Sequence, residues 1–383
     1  MHFSKEIGES LTYKFAQAAG EMKAQGREII SLGLGEPDFA TPSYVTEATI
    51  QAIRDGFTHY SASQGLPELR NLIATDITTN KGVEYTGAQV IITPGIKAAV
   101  YFALCAVLEP FDKVINIAPY YVSYPAMMKL AEPTAEIINV EMNQDFTLNM
   151  AELEKAFAQN PKCILVNTPN NPTGTVFSKA EVERIIELAI EHHTYIIADE
   201  VYEKLVYSGY VHTSFASYEK VKDQLILCNG FSKSHAMTGY RLGYAAGPKQ
   251  IIAKMNKLQQ HINTNTCTFI QKGACAIFTH EADHLPGYVR ELEQRVRYFD
   301  EKINKLSYMK GVVPKGGFFY FADISATRMD SNSFCVKLLN ETGIACTPGI
   351  AFGANWDNYV RFSLAVSMAT IERAVKLMEN LSI

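Results

Sequence analysis

Five short apolar runs recur through the middle of the chain: Val90-Ile91-Ile92-Thr93, Val114-Ile115-Asn116-Ile117, Cys163-Ile164-Leu165-Val166-Asn167, Tyr195-Ile196-Ile197-Ala198-Asp199 and Leu225-Ile226-Leu227-Cys228-Asn229. Longer segments of helical periodicity separate them. Near-continuous apolar strands alternating with helices specify a mostly parallel sheet covered on both faces, because a strand without a polar face must be buried on both sides. One helix is announced by its cap: Ser178-Lys179-Ala180-Glu181 is a capping box, predicting a helix from there to about His193.

The texture changes beyond about residue 285. A charged amphipathic helix is expected over Tyr288 to Leu306, a Gly-rich strand over Gly316 to Phe321, a helix near Ser331 to Thr342 and a last helix from about Thr370. This reads as a smaller α+β domain, shared with the amino-terminal segment. The expected division is 1–44 (contributing to the small domain), 45–285 (large domain) and 286–383 (small domain).

In an open α/β sheet, ligands bind beyond the carboxyl ends of the strands, so the residues following each run carry the functional argument. They are Thr93-Pro94-Gly95-Ile96-Lys97, then Tyr120-Tyr121, then Pro169-Asn170-Asn171-Pro172-Thr173-Gly174, then Asp199 itself, then Ser232-Lys233. Each has an ordinary structural explanation when taken singly, as a turn, a cap or a packed aromatic ring. Jointly, five strand ends each present a polar or aromatic group.

Composition removes several classes of function. Lys and Arg total 35 against 40 Asp and Glu, a net charge of −5, so no positive field exists to gather nucleic acid or anionic lipid. The seven cysteines are scattered without a C-x-x-C pair, and most stand in apolar runs; they are expected to be buried free thiols, with no metal site. Met1 to Glu9 has no apolar signal core, and no stretch of about 18 apolar residues occurs, so a cytoplasmic protein without a membrane span is expected. Gly33-Leu34-Gly35 would open a dinucleotide motif, but Asp38 stands where its third glycine is required.

Lys233-Ser234-His235-Ala236-Met237-Thr238-Gly239-Tyr240-Arg241-Leu242-Gly243, with Asn171-Pro172-Thr173-Gly174 and Asp199-Glu200-Val201-Tyr202, resembles the class I pyridoxal-phosphate aminotransferases. The likeness runs from Gly35-Glu36-Pro37-Asp38 through Tyr60 to Arg361-Phe362-Ser363, and is nearest to the aspartate and aromatic branch. It implies fold type I, α/β, with a mostly parallel sheet between helices in a large domain, and a homodimer with shared sites.

The resemblance also implies roles. Lys233 would carry pyridoxal 5′-phosphate covalently and move protons. Asp199 would keep the ring nitrogen protonated, Asn171 and Tyr202 would hold the ring oxygen anionic, and Tyr121 would stack on the ring. Gly95, Ile96, Ser232 and Arg241 would take the phosphate, joined by Tyr60 from the other subunit. Arg361, with Gly35 and Asn171, would bind the substrate α-carboxylate. Lys97 and Thr12, in Ser10-Leu11-Thr12, match positions that meet a distal carboxylate, favouring an aspartate-like amino donor, with aromatic donors as a second possibility. Two other readings use the same cofactor: a carbon–sulfur β-lyase or cyclising lyase, and a regulatory domain fused to a DNA-binding arm, for which the chain shows no basic appendage.

Overall fold

The computed structural model describes Gly8, residues 11–280 and residues 284–383. Thirteen strands are present among these residues: β1 (Ile30–Ser31), β2 (Val90–Thr93), β3 (Lys113–Ala118), β4 (Glu136–Glu141), β5 (Cys163–Asn167), β6 (Tyr195–Asp199), β7 (Leu225–Gly230), β8 (Gly243–Ala246), β9 (Lys310–Gly311), β10 (Phe319–Asp323), β11 (Ile344–Ala345), β12 (Thr347–Pro348) and β13 (Tyr359–Ser363).

The five apolar runs become β2, β3, β5, β6 and β7 of a seven-stranded sheet ordered β2-β8-β7-β6-β5-β3-β4. All its neighbours pair in parallel except β8, which runs antiparallel between β2 and β7. Alternate residues of each strand enter two separate cores. Ile91, Val114, Leu165, Ile197 and Ile226 pack on one face, and Val90, Ile92, Ile115, Ile164, Val166, Ile196, Leu225 and Leu227 on the other. Two buried faces are what uninterrupted apolar strands require.

Strands β4 and β8 were not apparent as apolar runs. β4 (Glu-Ile-Ile-Asn-Val-Glu) is the sheet edge, half exposed and polar at both ends. β8 (Gly-Tyr-Ala-Ala) is short and small because it must approach a backbone: a Cβ on Gly243 would stand 2.6 Å from the Gly95 carbonyl carbon and the Ile96 nitrogen.

The Ser178 capping box forms as expected. The Ser178 amide donates to Glu181 Oε2 at 2.7 Å, and the Glu181 amide donates back to Ser178 Oγ at 3.3 Å. The helix then runs Lys179–Glu191 and stops two residues short of its expected end, where His193 takes a left-handed φ of 51°.

Beyond the large sheet, β12-β13-β10-β9 form an antiparallel sheet, and β1 pairs in parallel with β11. The amphipathic helix spans Leu285–Ile303, the next Ser331–Thr342 and the last Met368–Glu379. The Gly-rich strand is displaced from its expected position: it begins at Phe319 rather than Gly316. The Lys315 and Gly316 amides donate to the Gly174 carbonyl and the Gly317 amide to Leu205, so these residues brace the Asn171 turn instead of a ladder. The cysteines also depart from expectation. All seven are free, but Cys267 is exposed and Cys105 and Cys275 are half-buried. No described helix is long and apolar enough to cross a membrane.

Candidate active site

The carboxyl ends of β5, β6 and β7 open onto a cavity of about 450 Å³. Eleven of the residues singled out in the sequence line it: Gly35, Ile96, Lys97, Tyr121, Asn171, Asp199, Tyr202, Ser232, Lys233, Arg241 and Arg361. Gly95 lies just behind, as the residue capping the helix Ile96–Val107. Tyr60 is 87% exposed and stands outside the lining. The Thr12 side chain lies outside what the structure describes, although its backbone belongs to the helix Leu11–Ala24.

Lys233 and Arg241 share the loop joining the antiparallel neighbours β7 and β8. Ala236 (φ 49°) and Arg241 (φ 51°) in this loop are both left-handed, a conformation costing L-residues roughly 1–2 kcal/mol each. Local contacts hold the loop there. Arg241 Nη1 donates to the Thr238 carbonyl at 2.9 Å, and its guanidinium lies over the bare Cα of Gly95. Lys233 Nζ donates to the Gly35 carbonyl at 2.6 Å. Burial pushes the Lys233 ammonium down to about 8; Glu36 opposes this, and Arg361 and Arg241 reinforce it.

Asp199 ends β6 with its carboxyl in the cavity. Burial raises it to about 6, against hydrogen bonds from the Tyr124 hydroxyl (2.8 Å to Oδ2) and the Val201 amide (3.2 Å to Oδ1). A neighbouring cationic N–H would restore its charge. Asn167, one strand over in register with Asp199, donates to the Asp199 carbonyl at 3.0 Å and accepts the Asn171 amide at 2.8 Å. Tyr202 is buried edge-on to Phe318 and Phe319, and burial holds its hydroxyl protonated far above its ordinary range. Tyr121 presents its ring to the cavity, with Tyr124 edge-on at 5.4 Å and Lys97 Nζ 5.5 Å from its centroid.

Arg361 comes from β13 and is 2% exposed. Its guanidinium lies between the rings of Phe319 (4.4 Å) and Phe352 (5.1 Å), a slot that suits a planar fork. Nη1 donates to Asn171 Oδ1 at 3.0 Å, and Nη2 to the Gly33 carbonyl at 2.5 Å and to Thr347 Oγ1 at 3.2 Å. Burial lowers it to about 10. Among the described residues no carboxylate pairs with it, and Nε is buried with no partner. A buried cation without a counter-charge is expensive unless an anion arrives.

Four of these participants were missed in the sequence. Tyr124 and Asn167 act through Asp199 and Asn171, while Phe319 and Phe352 shape the arginine slot. Only Tyr124 had a local signal, a second aromatic residue three positions beyond Tyr121.

The residues fit a phosphorylated pyridine ring on this chemistry alone: a strand-end carboxyl, an aromatic face, a free amine, an exposed guanidinium beside a helix amino terminus, and a cradle at Gly95 that a Cβ would fill.

Comparison with known proteins agrees. Residues 27–377 match the model of the family "Aminotransferase class I and II". An aspartate aminotransferase of Bacillus sp. (strain YM-2) is 36% identical over 382 residues, covering 98% of this chain and 97% of that one. Aromatic-amino-acid aminotransferase 2 of Thermococcus litoralis is 37% identical over 362 residues, covering 93% and 92%. The aspartate aminotransferase from Thermus thermophilus with maleate superposes with a TM-score of 0.95 at 32% identity, covering 100% and 99%. The chain belongs to the class I and II aminotransferases, enzymes that use pyridoxal phosphate.

Proposed function

We propose that the protein transfers the α-amino group of an acidic L-amino acid to a 2-oxo acid in two half-reactions. The observation that carries this reading is the cavity's charge: Lys97, Lys233, Arg241 and Arg361 against Asp199 and Glu36. A cofactor phosphate and a monocarboxylate would use two of the cations. Lys97, exposed at the rim beside Tyr121, suits a second carboxylate on the substrate.

Bound pyridoxal phosphate supplies an electron sink for the bond broken at the substrate α-carbon. In this reading Lys233 anchors it covalently. Asp199, held by Tyr124, pairs with its ring nitrogen, while Asn171 and Tyr202 donate to its ring oxygen. The Gly95 and Ile96 amides, Ser232 and Arg241 take the phosphate. Arg361 fixes the α-carboxylate, and the freed amine of Lys233, lowered to about 8, moves a proton on and off the α-carbon near neutral pH.

Tyr60 belongs to this picture through a homodimer, its exposure in one subunit allowing it to reach the other's phosphate. The division into 1–44, 45–285 and 286–383 agrees with the pairing of β1 and β11, which joins the amino-terminal segment to the later strands. Seven free thiols suit the reducing cytoplasm.

The test is a panel of amino donors with 2-oxoglutarate or oxaloacetate as acceptor. Aspartate or glutamate should give the highest kcat/KM. Faster turnover of phenylalanine or tyrosine would overturn the acidic preference, and release of pyruvate and ammonia from cysteine or cystathionine without an acceptor would favour a lyase.

A further inference from the structure

Each charge in the cavity has an assignment except one. Under the aminotransferase reading, Arg241 is claimed by the phosphate, Arg361 by the α-carboxylate, Lys97 by the distal carboxylate and Asp199 by the ring nitrogen. Glu36 remains. Its carboxylate is exposed at the cavity rim and is held by a hydrogen bond from the Thr238 hydroxyl, on the loop that carries Lys233. The residue before it, Gly35, accepts the Lys233 ammonium at 2.6 Å. A Cβ on Gly35 would stand 2.7 Å from Phe319 Cζ, so the backbone here is pressed against the wall that also flanks Arg361.

An amino acid brings one group that the cationic cavity repels, its α-ammonium. We propose that Glu36 is a substrate-binding residue for that ammonium, the anionic half of a pair whose cationic half is Arg361. This inference rests on the aminotransferase reading and extends it. One positive amine is near the rim whether it belongs to Lys233 or to the arriving substrate, and Glu36 supplies its counter-charge in both cases. The fall of the Lys233 amine on burial is opposed most strongly by Glu36 among the surrounding charges. Thr238 fixes the carboxylate without neutralising it, since a hydroxyl donates a proton share but carries no charge.

The prediction separates ligands that carry an amine from those that do not. Dissociation constants are measured by calorimetry on the cofactor-loaded dimer at low salt for two pairs of probes: 2-methylaspartate against maleate, and 2-methylphenylalanine against 3-phenylpropionate. The 2-methyl compounds bind but have no α-hydrogen to lose.

Glu36→Gln, which keeps an oxygen for Thr238, should weaken the amine-bearing member of whichever pair binds by about five- to tenfold. The amine-free member should bind equally or slightly more tightly. The difference should shrink as salt is raised, because the pair is exposed. Glu36→Asp should fall between the two. Equal weakening of both members of a pair, or no change in either, would overturn the inference while leaving the aminotransferase assignment intact. Failure of the wild-type protein to bind either pair would overturn the acidic and aromatic donor readings, and this inference with them.

Discussion

Replacing Gly95 by alanine tests the geometry of the phosphate corner. Gly95 has φ 84° and ψ 164°, a region open almost only to glycine; occupying it with alanine costs about 1–3 kcal/mol. The new Cβ would also stand 2.3 Å from Arg241 Nη2 and 2.9 Å from its Cζ. The backbone cannot retreat, because Gly243 already packs against the Gly95 carbonyl carbon, so the exposed guanidinium must swing away. A lost charge-assisted contact to phosphate is worth about 1.5–3 kcal/mol, or roughly 10- to 150-fold in cofactor affinity at 1.36 kcal/mol per tenfold.

The assay is an absorbance titration of cofactor-free protein with pyridoxal phosphate, with denaturant unfolding of the same samples to measure the strain separately. Arg241→Ala supplies the control. In that background Gly95→Ala should lose little further affinity while retaining its stability cost, giving a large coupling energy. Additive affinity losses, or a Gly95→Ala protein that binds the cofactor as tightly as the wild type, would refute the assignment of Arg241 and the helix amino terminus to one phosphate.

Asp199→Asn should make the cofactor-free protein more stable at pH 7 by up to about 3 kcal/mol, because burial raises this carboxyl from its usual 3.8 to about 6 and ionising it opposes folding. The sign follows from linkage: the wild-type penalty is complete above about pH 6 and vanishes below about pH 4, so urea midpoints of the two proteins should converge in acid, while turnover of the loaded variant falls at least about a hundredfold. Mixing Lys233→Ala with a chain disrupted at Tyr60 should restore activity above either parent, since a hybrid dimer contains one site with both residues intact; mixing that restores nothing, with hybrids demonstrably formed, would return Tyr60 to a packing role.

The strands and the site were legible to different depths. β2, β3, β5, β6 and β7 announce themselves because burial on both faces leaves none of them a polar face, most of their few polar residues standing at the strand ends. β4 escapes notice because an edge strand keeps polar residues, and β8 because close approach to Gly95 and Ile96 selects glycine and alanine over the β-branched residues that mark strands. At the site, residues that meet the cofactor lie in compact motifs, whereas those that set their geometry do not. Asn167 looks like the end of any strand until β5 and β6 pair it with Asp199. Phe319 and Phe352 look like core until Arg361 is found between them. Glu36 sits inside a recognised motif, yet its place at the rim depends on Thr238, about two hundred positions away.

The lysine loop, the Asn171 turn, Asp199 and Gly95 all fall between residues 95 and 241, while the carboxylate clamp joins Gly33 to Arg361, 328 positions apart. A ribosome therefore delivers every residue of the cofactor cradle supplied by one subunit well before it delivers the arginine that grips the substrate. During synthesis the chain owns its chemistry before its clamp. A chain cut short ahead of β13 keeps Lys233, Asp199 and Arg241, and it lacks the arginine that would hold an amino acid against them.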